Sequence, residues 1–152
     1  KGLKEDLQVS WLPSYGPEMR GGTANCSLVI SDTPVGSPII TTPDVLVAMN
    51  LPSLLKFVDS VAPGGQIFID SSLIDAKVER TDVKVHYIPA TQIAKNAGFT
   101  TLANMVLMGK VMKECDAVSY EGSKETLEAF IPAKKANLMD VNCQALQAGY
   151  DY

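Results

Sequence analysis

"DVLVAMNLPSLLKFVDSVAPGGQIFID", Asp44 to Asp70, is the stretch that decides the fold. It opens with a continuous apolar run, Val45 to Met49, of the kind found in strands covered on both faces. A helical segment follows, with Ser53 as its capping residue and Pro63-Gly64-Gly65 as its stop. "QIFID" then predicts a second strand. The order strand, helix, strand indicates parallel pairing through a helical crossover.

Segments on both sides extend this pattern. "QVSWL" predicts a short strand that ends at Pro13, and "ANCSLVIS", Ala24 to Ser31, predicts a buried strand. "VKVHYIPA", Val83 to Ala90, predicts another strand, and the rest is helical up to a last amphipathic helix that Gly149 stops. We therefore expect an α/β fold: a three-layer Rossmann-like domain with a mainly parallel sheet and a helical C-terminal part.

Length and composition limit the function. The 152 residues suit a single domain, 1–152, and the net charge of −4, with basic residues spread along the chain, disfavours nucleic acid as a partner. Apolar runs fall short of the roughly twenty residues that cross a bilayer, so we expect no membrane contact and a cytoplasmic location. Three widely separated cysteines without CxxC spacing predict reduced thiols and no metal site.

The segment "SYGPEMRGGTAN", which begins at Ser14, carries the most chemistry. Gly16 and the pair Gly21-Gly22 let a ligand approach the main chain closely. Arg20 adds a planar fork of donors that suits a phosphate or a carboxylate. These residues are compatible with an anion-binding turn. On spacing alone the favoured alternative is a plain glycine turn in which Arg20 pairs with Glu18 or solvent, since the spacing matches neither GxGxxG nor a P-loop.

The same segment carries a family resemblance. "VSWLPSYGPEMRGGTANCSLVISDTPVGSP", followed by "PDVLVAMNLPSLLKF", "PGGQIFIDSSLI" and "IPATQIA", closely resembles the gamma subunit of the 2-oxoacid:ferredoxin oxidoreductases. That family includes the pyruvate, 2-oxoisovalerate and 2-oxoglutarate enzymes. The similarity extends from about Gln8 to the C-terminal "ALQAGY". The segment that begins at Ser14 is its most specific part.

The resemblance implies one subunit of a multi-chain enzyme that converts a 2-oxoacid and coenzyme A to acyl-CoA and CO2 and reduces ferredoxin. It implies thiamine diphosphate and iron–sulfur clusters in partner alpha, beta and delta subunits, with coenzyme A shared at a subunit interface and no cofactor held by this chain alone. The chain would then be inactive by itself, and no catalytic residue is assigned. The implied coenzyme A or substrate residues are Tyr15, Gly16, Glu18, Arg20, Gly21 and Gly22. The alternative is a purely structural assembly subunit without ligand contact.

The sequence departs from the family pattern in two places. Gamma subunits usually begin with a strand, a GxGGxG turn and a long helix, whereas "KGLKEDL" resembles only the last turn of that helix. We therefore expect that this chain lacks the N-terminal strand-turn-helix. Phe99 stands where family members often carry asparagine, which weakens the case for a polar site there. Asn104 on the following helix is expected to be a structural group.

Polar residues at the predicted strand ends are secondary candidates. Asn50, Pro52 and Ser53 lie where a strand meets a helix, a common ligand position in α/β sheets, although a helix cap is the favoured explanation of Ser53. Ser71 and Ser72 follow the next strand and fit either a ligand or ordinary turn chemistry. His86, the one histidine, lies in an apolar strand without a nucleophile or metal ligand at useful spacing. It is predicted to be structural.

Overall fold

The secondary structure comes from a computed structural model that describes residues 1–14, 24–131 and 137–152. The chain divides into two compact units: a sheet unit of residues 2–69 and 73–87, and a helical unit of residues 1, 70–72 and 88–152. Short 3₁₀ turns occupy Gly2–Glu5 and Val58–Ser60. The strands and helices are β1 (Gln8–Ser14), β2 (Asn25–Ser31), β3 (Val45–Ala48), α1 (Leu51–Phe57), β4 (Gln66–Asp70), β5 (Lys84–Ile88), α2 (Ala90–Asn96), α3 (Ala103–Glu114), α4 (Ser123–Phe130) and α5 (Asn137–Asp151).

Strands β3, β4 and β5 form a parallel sheet in that order. The register places Val45 of β3 opposite Gln66 of β4. On the other side of β4, the backbone N–H of Lys84 donates to the carbonyl oxygen of Gly65 at 2.9 Å. Helix α1 connects β3 to β4. The segment 44–70 therefore has the strand–helix–strand form that its sequence predicts.

One face of this sheet forms the core of the sheet unit. Because side chains alternate along a strand, Ile67 and Ile69 point to this face and Phe68 to the opposite one, and all three are fully buried. Strand β3 differs: Val47 is 44% exposed, so the prediction that the run from Val45 to Met49 is covered on both faces is wrong. The fully buried cluster consists of Ala48, Leu54, Val61, Ile67, Ile69 and Ile74.

Helix α1 begins earlier than the sequence pattern indicates. It starts at Leu51, and the side-chain Oδ1 of Asn50 accepts a hydrogen bond of 2.8 Å from the backbone N–H of Ser53. Pro52 is tolerated in this first turn, where a backbone N–H has no helical partner in any case. The cap is therefore Asn50, and the prediction that Ser53 is the cap is wrong. After the helix the chain reverses at Gly64, whose φ of 81° favours glycine.

Strands β1 and β2 form a separate antiparallel pair, called here the ribbon. Its cross-strand pairs extend from Gln8–Ser31 at the base to Ser14–Asn25 at the tip. Strand β1 continues through Pro13, contrary to the prediction, because an edge strand has one side that needs no N–H donor. The prediction of a buried β2 is also wrong, since each of its residues is exposed or half-buried.

Arg80 holds the connection between β4 and β5 against the rest of the sheet unit. Its guanidinium donates to the carbonyl oxygens of Val58 at 2.9 Å and of Val61 at 2.8 Å, at the end of a 3₁₀ turn. It also pairs with the Asp82 carboxylate at 2.6 Å. The hydrogen bond between the two side chains is the main reason why the pKa of Arg80 is raised and that of Asp82 is lowered.

Helices α3 and α5 of the helical unit pack at two glycines. A Cβ atom added to Gly109 would overlap the backbone of Leu146, and one added to Gly149 would overlap the backbone of Val106. Gly149 does not stop the last helix, because α5 continues to Asp151. Its role is to let two helix backbones approach each other, and the prediction of a stop signal is wrong.

The α/β class, the parallel sheet and the helical C-terminal part are confirmed. The first two follow from the strand–helix–strand segment and the third from the succession of α2 to α5. None of the helices within the described ranges combines the length and apolar character that crossing a bilayer requires.

Candidate functional site

The predicted anion-binding segment connects the two strands of the ribbon. Strand β1 ends at Ser14, which pairs with Asn25 at the start of β2. All six site residues lie in the interval 15–23, outside the described residues. The anion-binding turn therefore stays a prediction for Tyr15, Gly16, Glu18, Arg20, Gly21 and Gly22.

A buried carboxylate marks the end of β4. Asp70 is fully buried, and its Oδ2 accepts hydrogen bonds from the Thr91 hydroxyl at 2.6 Å and the Thr91 backbone N–H at 3.2 Å. Its Oδ1 accepts from the backbone N–H of Ser72 at 3.1 Å. These bonds compensate the desolvation of the carboxylate and fix the start of α2. Sequence reasoning missed Asp70, although an acidic residue that ends an apolar strand was a visible signal.

The two serines after β4 make turn and capping contacts. The backbone N–H of Ser71 donates to the carbonyl oxygen of Ile88 at 2.8 Å. The Oγ of Ser72 accepts from the backbone N–H of Gln92, in the first turn of α2, at 3.0 Å. Together with the Asp70 contacts, the bond to Gln92 favours the structural interpretation of Ser72 over a ligand-binding one.

The end of β3 presents a cap and a free hydroxyl. Asn50 is occupied as the α1 cap, which explains it without a ligand. Ser53 is only 9% exposed, and within the described ranges its Oγ is the one buried side-chain oxygen without a hydrogen-bond partner. An unsatisfied buried hydroxyl is unfavourable by about 1–3 kcal/mol. The structure thus removes the capping explanation of Ser53 and leaves its hydroxyl unsatisfied.

His86 has structural partners. Its ring stacks on Phe68 with centroids 4.5 Å apart and an interplanar angle of 7°. Its Nε2 lies 2.8 Å from Oε1 of Gln66. The structural role predicted for His86 is supported by both contacts. Sequence spacing could not identify Gln66 as the partner, because twenty residues separate the two side chains and only the strand pairing brings them together.

The cysteines do not form a reactive set. Cys26 is an exposed thiol on the ribbon, Cys115 is buried, and Cys143 is half-buried on α5. Burial is the main reason why the pKa of the Cys143 thiol is raised, which keeps it protonated and poorly nucleophilic near neutral pH. Within residues 1–14, 24–131 and 137–152, no three histidine, cysteine or acidic side chains are grouped to bind a metal ion.

Sequences related to this chain match it over nearly its whole length. The profile of the family described as pyruvate ferredoxin/flavodoxin oxidoreductase matches residues 2–152. The ketoisovalerate oxidoreductase subunit VorA of Methanothermobacter thermautotrophicus is 42% identical over 149 residues. The matched region is 97% of this chain and 31% of VorA, so the chain spans about a third of the length of that relative.

Two solved structures share the fold. A keto/oxoacid ferredoxin oxidoreductase gamma subunit from Geobacter sulfurreducens superposes with a TM-score of 0.79 at 25% identity, over 98% of this chain and 82% of that one. A 2-oxoglutarate:ferredoxin oxidoreductase from Magnetococcus marinus, with 2-oxoglutarate, coenzyme A and succinyl-CoA bound, superposes with a TM-score of 0.78 at 21% identity. That match covers 95% of this chain and 25% of the other, and it shows the fold alone.

Proposed function

This chain belongs to the pyruvate ferredoxin/flavodoxin oxidoreductase family, and we propose that it is the gamma-type part of a 2-oxoacid:ferredoxin oxidoreductase. The complete enzyme would convert a 2-oxoacid and coenzyme A to acyl-CoA and CO2 while ferredoxin takes up the electrons. The observation that carries this proposal is the family match over residues 2–152. The likeness to a gamma subunit of nearly the same extent supports it.

The proposed division of labour places the reactive groups in partner subunits. The polar side chains at the described strand ends are largely engaged within the chain, as Asp70, Ser72 and Asn50 show. This supports a chain that lines part of a shared site and contacts other subunits. We propose that partner alpha, beta and delta subunits hold thiamine diphosphate and the iron–sulfur clusters. The chain alone would be inactive, and the complex would work in the cytoplasm.

An iron–sulfur cluster does not fit this chain. A cluster takes about four thiolate ligands close together, whereas the sequence has three cysteines. One is exposed on the ribbon, one is buried and one lies half-buried on α5. The electrons released from the 2-oxoacid are therefore proposed to leave through the partner subunits.

Coenzyme A is proposed to meet this chain at the segment between β1 and β2. Arg20 supplies a fork of donors for a coenzyme A phosphate or a 2-oxoacid carboxylate, and Gly21 and Gly22 allow close approach of the main chain. Gly16 is proposed to shape the turn, and Tyr15 and Glu18 to border the ligand. When bound, coenzyme A supplies the thiol that accepts the acyl group.

The test is Arg20→Ala in the assembled complex, measured as ferredoxin reduction at varied coenzyme A concentration. Hydrogen bonds to a charged group contribute about 1.5–3 kcal/mol, so the KM for coenzyme A should rise about tenfold or more. Arg20→Lys keeps the charge but loses the fork, so its KM for coenzyme A should lie between those of the unmodified complex and of Arg20→Ala. Lys95→Ala removes an exposed cation elsewhere and should leave this KM unchanged.

The second candidate is a purely structural assembly subunit. The internal hydrogen bonds of Asp70 and Ser72 favour it, because they leave few described polar groups for a ligand. An Arg20→Ala complex of normal composition with an unchanged KM for coenzyme A would establish this alternative. If the purified chain alone oxidised a 2-oxoacid, the proposed division of labour would be wrong.

A further inference from the structure

The ribbon differs in charge from the rest of the chain. Its two strands, "QVSWLPS" and "NCSLVIS", contain seven residues each and no Asp, Glu, Lys, Arg or His. Charged residues make up 20% of the whole chain, so two seven-residue strands without one depart from the average. Depletion of charge is the compositional mark of the buried centre of a protein interface.

One face of the ribbon is apolar and open toward its middle. Trp11 and Leu28 are directly opposite each other, and their side chains are 64% and 48% exposed. At the base, the neighbouring pair Val9 and Ile30 is covered by Gly2 of the first 3₁₀ turn. The surface around Trp11 and Leu28 is called here the Trp11 face. Tryptophan, with tyrosine and arginine, is enriched at the energetic centre of interfaces.

The ribbon has little support of its own among the described residues. It has two strands and no third one in the part of the chain that the structure describes. A two-stranded antiparallel pair is marginally stable in water, and exposed edges are usually protected by charges such as lysine. Pro13 is the one protective edge residue here, because the strands carry no charge. A covering surface would therefore stabilise the ribbon.

The size of the Trp11 face restricts what can cover it. Seven residues at about 3.3 Å span roughly 23 Å, and two strands are about 10 Å wide. The resulting area of roughly 230 Å² is well below the approximately 800 Å² per partner of a standard stable interface. A second copy of the chain held by this face alone would dissociate. The face fits a partner that also contacts the chain elsewhere.

We propose that the Trp11 face docks on an uncharged, apolar surface of another subunit of the same oxidoreductase. This inference rests on the proposed function, because β1 and β2 lead directly into the segment that we propose for the shared site. The absence of charge disfavours nucleic acid and anionic lipid, which are recognised by basic residues. Docking would fix the ribbon and, with it, the ends of that segment.

The first test uses the fact that Trp11 is the sole tryptophan of the chain. The chain is produced with 5-fluorotryptophan and combined with unlabelled partner subunits, and the single ¹⁹F resonance is recorded in H₂O and in D₂O. The solvent isotope shift should be present in the isolated chain and lost in the complex. A shift that persists in the complex would overturn the proposal, as would its loss in the isolated chain through self-association at rising concentration.

The second test compares two charge insertions of matched exposure. Trp11→Arg should weaken binding of the chain to its partner subunits by about tenfold or more, as expected for a central interface tryptophan. Leu55→Arg on α1 changes a side chain that is also 64% exposed, and it should alter binding less than about twofold. Circular dichroism and thermal unfolding of each isolated variant serve as the control for folding.

The outcomes separate this inference from the proposed function. Equal binding by the two variants, with Arg20→Ala still raising the KM for coenzyme A, would refute the docking face and keep the function. Failure of the unmodified chain to associate with any thiamine-binding subunit would refute both. If the unmodified chain bound DNA or anionic vesicles and Trp11→Arg abolished that binding, the partner of the Trp11 face would be nucleic acid or a membrane and not a subunit.

Discussion

Strands β2 and β4 have similar sequences and opposite environments. Both are short runs of apolar and β-branched residues, and the pattern of β2 predicts a buried strand. In β4 the residues from Ile67 to Asp70 are buried, whereas β2 has residues that are at best half-buried. Strand β4 has a hydrogen-bonded neighbour on each side, but β2 has one among the residues that the structure describes. Burial of a strand is therefore decided by its neighbours and not by its composition.

Because of this difference in burial, the parallel sheet stabilises the chain, whereas the ribbon has exposed side chains that a partner can contact. The parallel sheet concentrates apolar burial in the sheet unit, and each fully buried large side chain contributes about 1.5–3 kcal/mol. The ribbon exposes side chains of the same type, which contribute little to the isolated chain and are available to a partner. Substitutions in the two regions should therefore affect different measurements.

The largest contrast is expected between Ile67→Ala and Leu28→Ala. Ile67 is fully buried in the core cluster, so its truncation should lower the free energy of unfolding by about 3 kcal/mol. Leu28 is 48% exposed, and the same type of truncation should cost less than about 1 kcal/mol. Urea unfolding of the isolated chain measures both. Similar costs would mean that the ribbon is packed like the sheet.

An intermediate effect is expected at the buried end of β4. Asp70→Asn places an amide opposite the donors of Thr91 and Ser72, so it should lower the free energy of unfolding by about 2 kcal/mol. Asp75→Asn, an exposed carboxylate in the following connection, is the matched control and should change stability by less than about 0.5 kcal/mol. Thermal unfolding of the two variants compares them directly. Equal stability would show that the Asp70 bonds are not needed to anchor α2.

The smallest effect concerns pH and the Arg80–Asp82 pair. The pKa of Asp82 is lowered in the folded chain, chiefly by its hydrogen bond with Arg80. Its stabilising contribution should be fully present above the unfolded pKa of about 4 and lost as the pH falls through the lower folded value. Urea midpoints of the unmodified chain and Asp82→Asn, measured from neutral to acidic pH, should converge at the acidic end. A gap between the two midpoints that widened on acidification would contradict this assignment.

Much of the fold could be predicted because its signals are local. The strand at 66–70 coincides with the segment "QIFID" that predicts it, since apolar runs act within a few residues. The start of α1 was misplaced for a local reason as well: Asn50 and Ser53 are both capping residue types. Only the backbone shows that Asn50 accepts the bond from the Ser53 N–H.

The candidate site was predicted less completely. The loop residues around Arg20 were named from glycine and arginine chemistry and from the family resemblance, and they stay a prediction. Asp70 was overlooked because its partner, Thr91, lies twenty-one residues away. The partner of His86 could not be predicted either, because Gln66 is twenty residues away and lies on the neighbouring strand. Such pairs depend on strand pairing, which a single sequence does not specify.

The sequence by itself determined the order of strands and helices and the family, because caps, turns and apolar periodicity are properties of short segments. Only the tertiary structure decided which apolar segments are covered. It placed Trp11 in solvent and Ile67 in the core, and it gave Gly149 a packing role in place of a helix stop. The physical reason is that burial and close approach depend on residues distant in sequence, which come together only when the chain has folded.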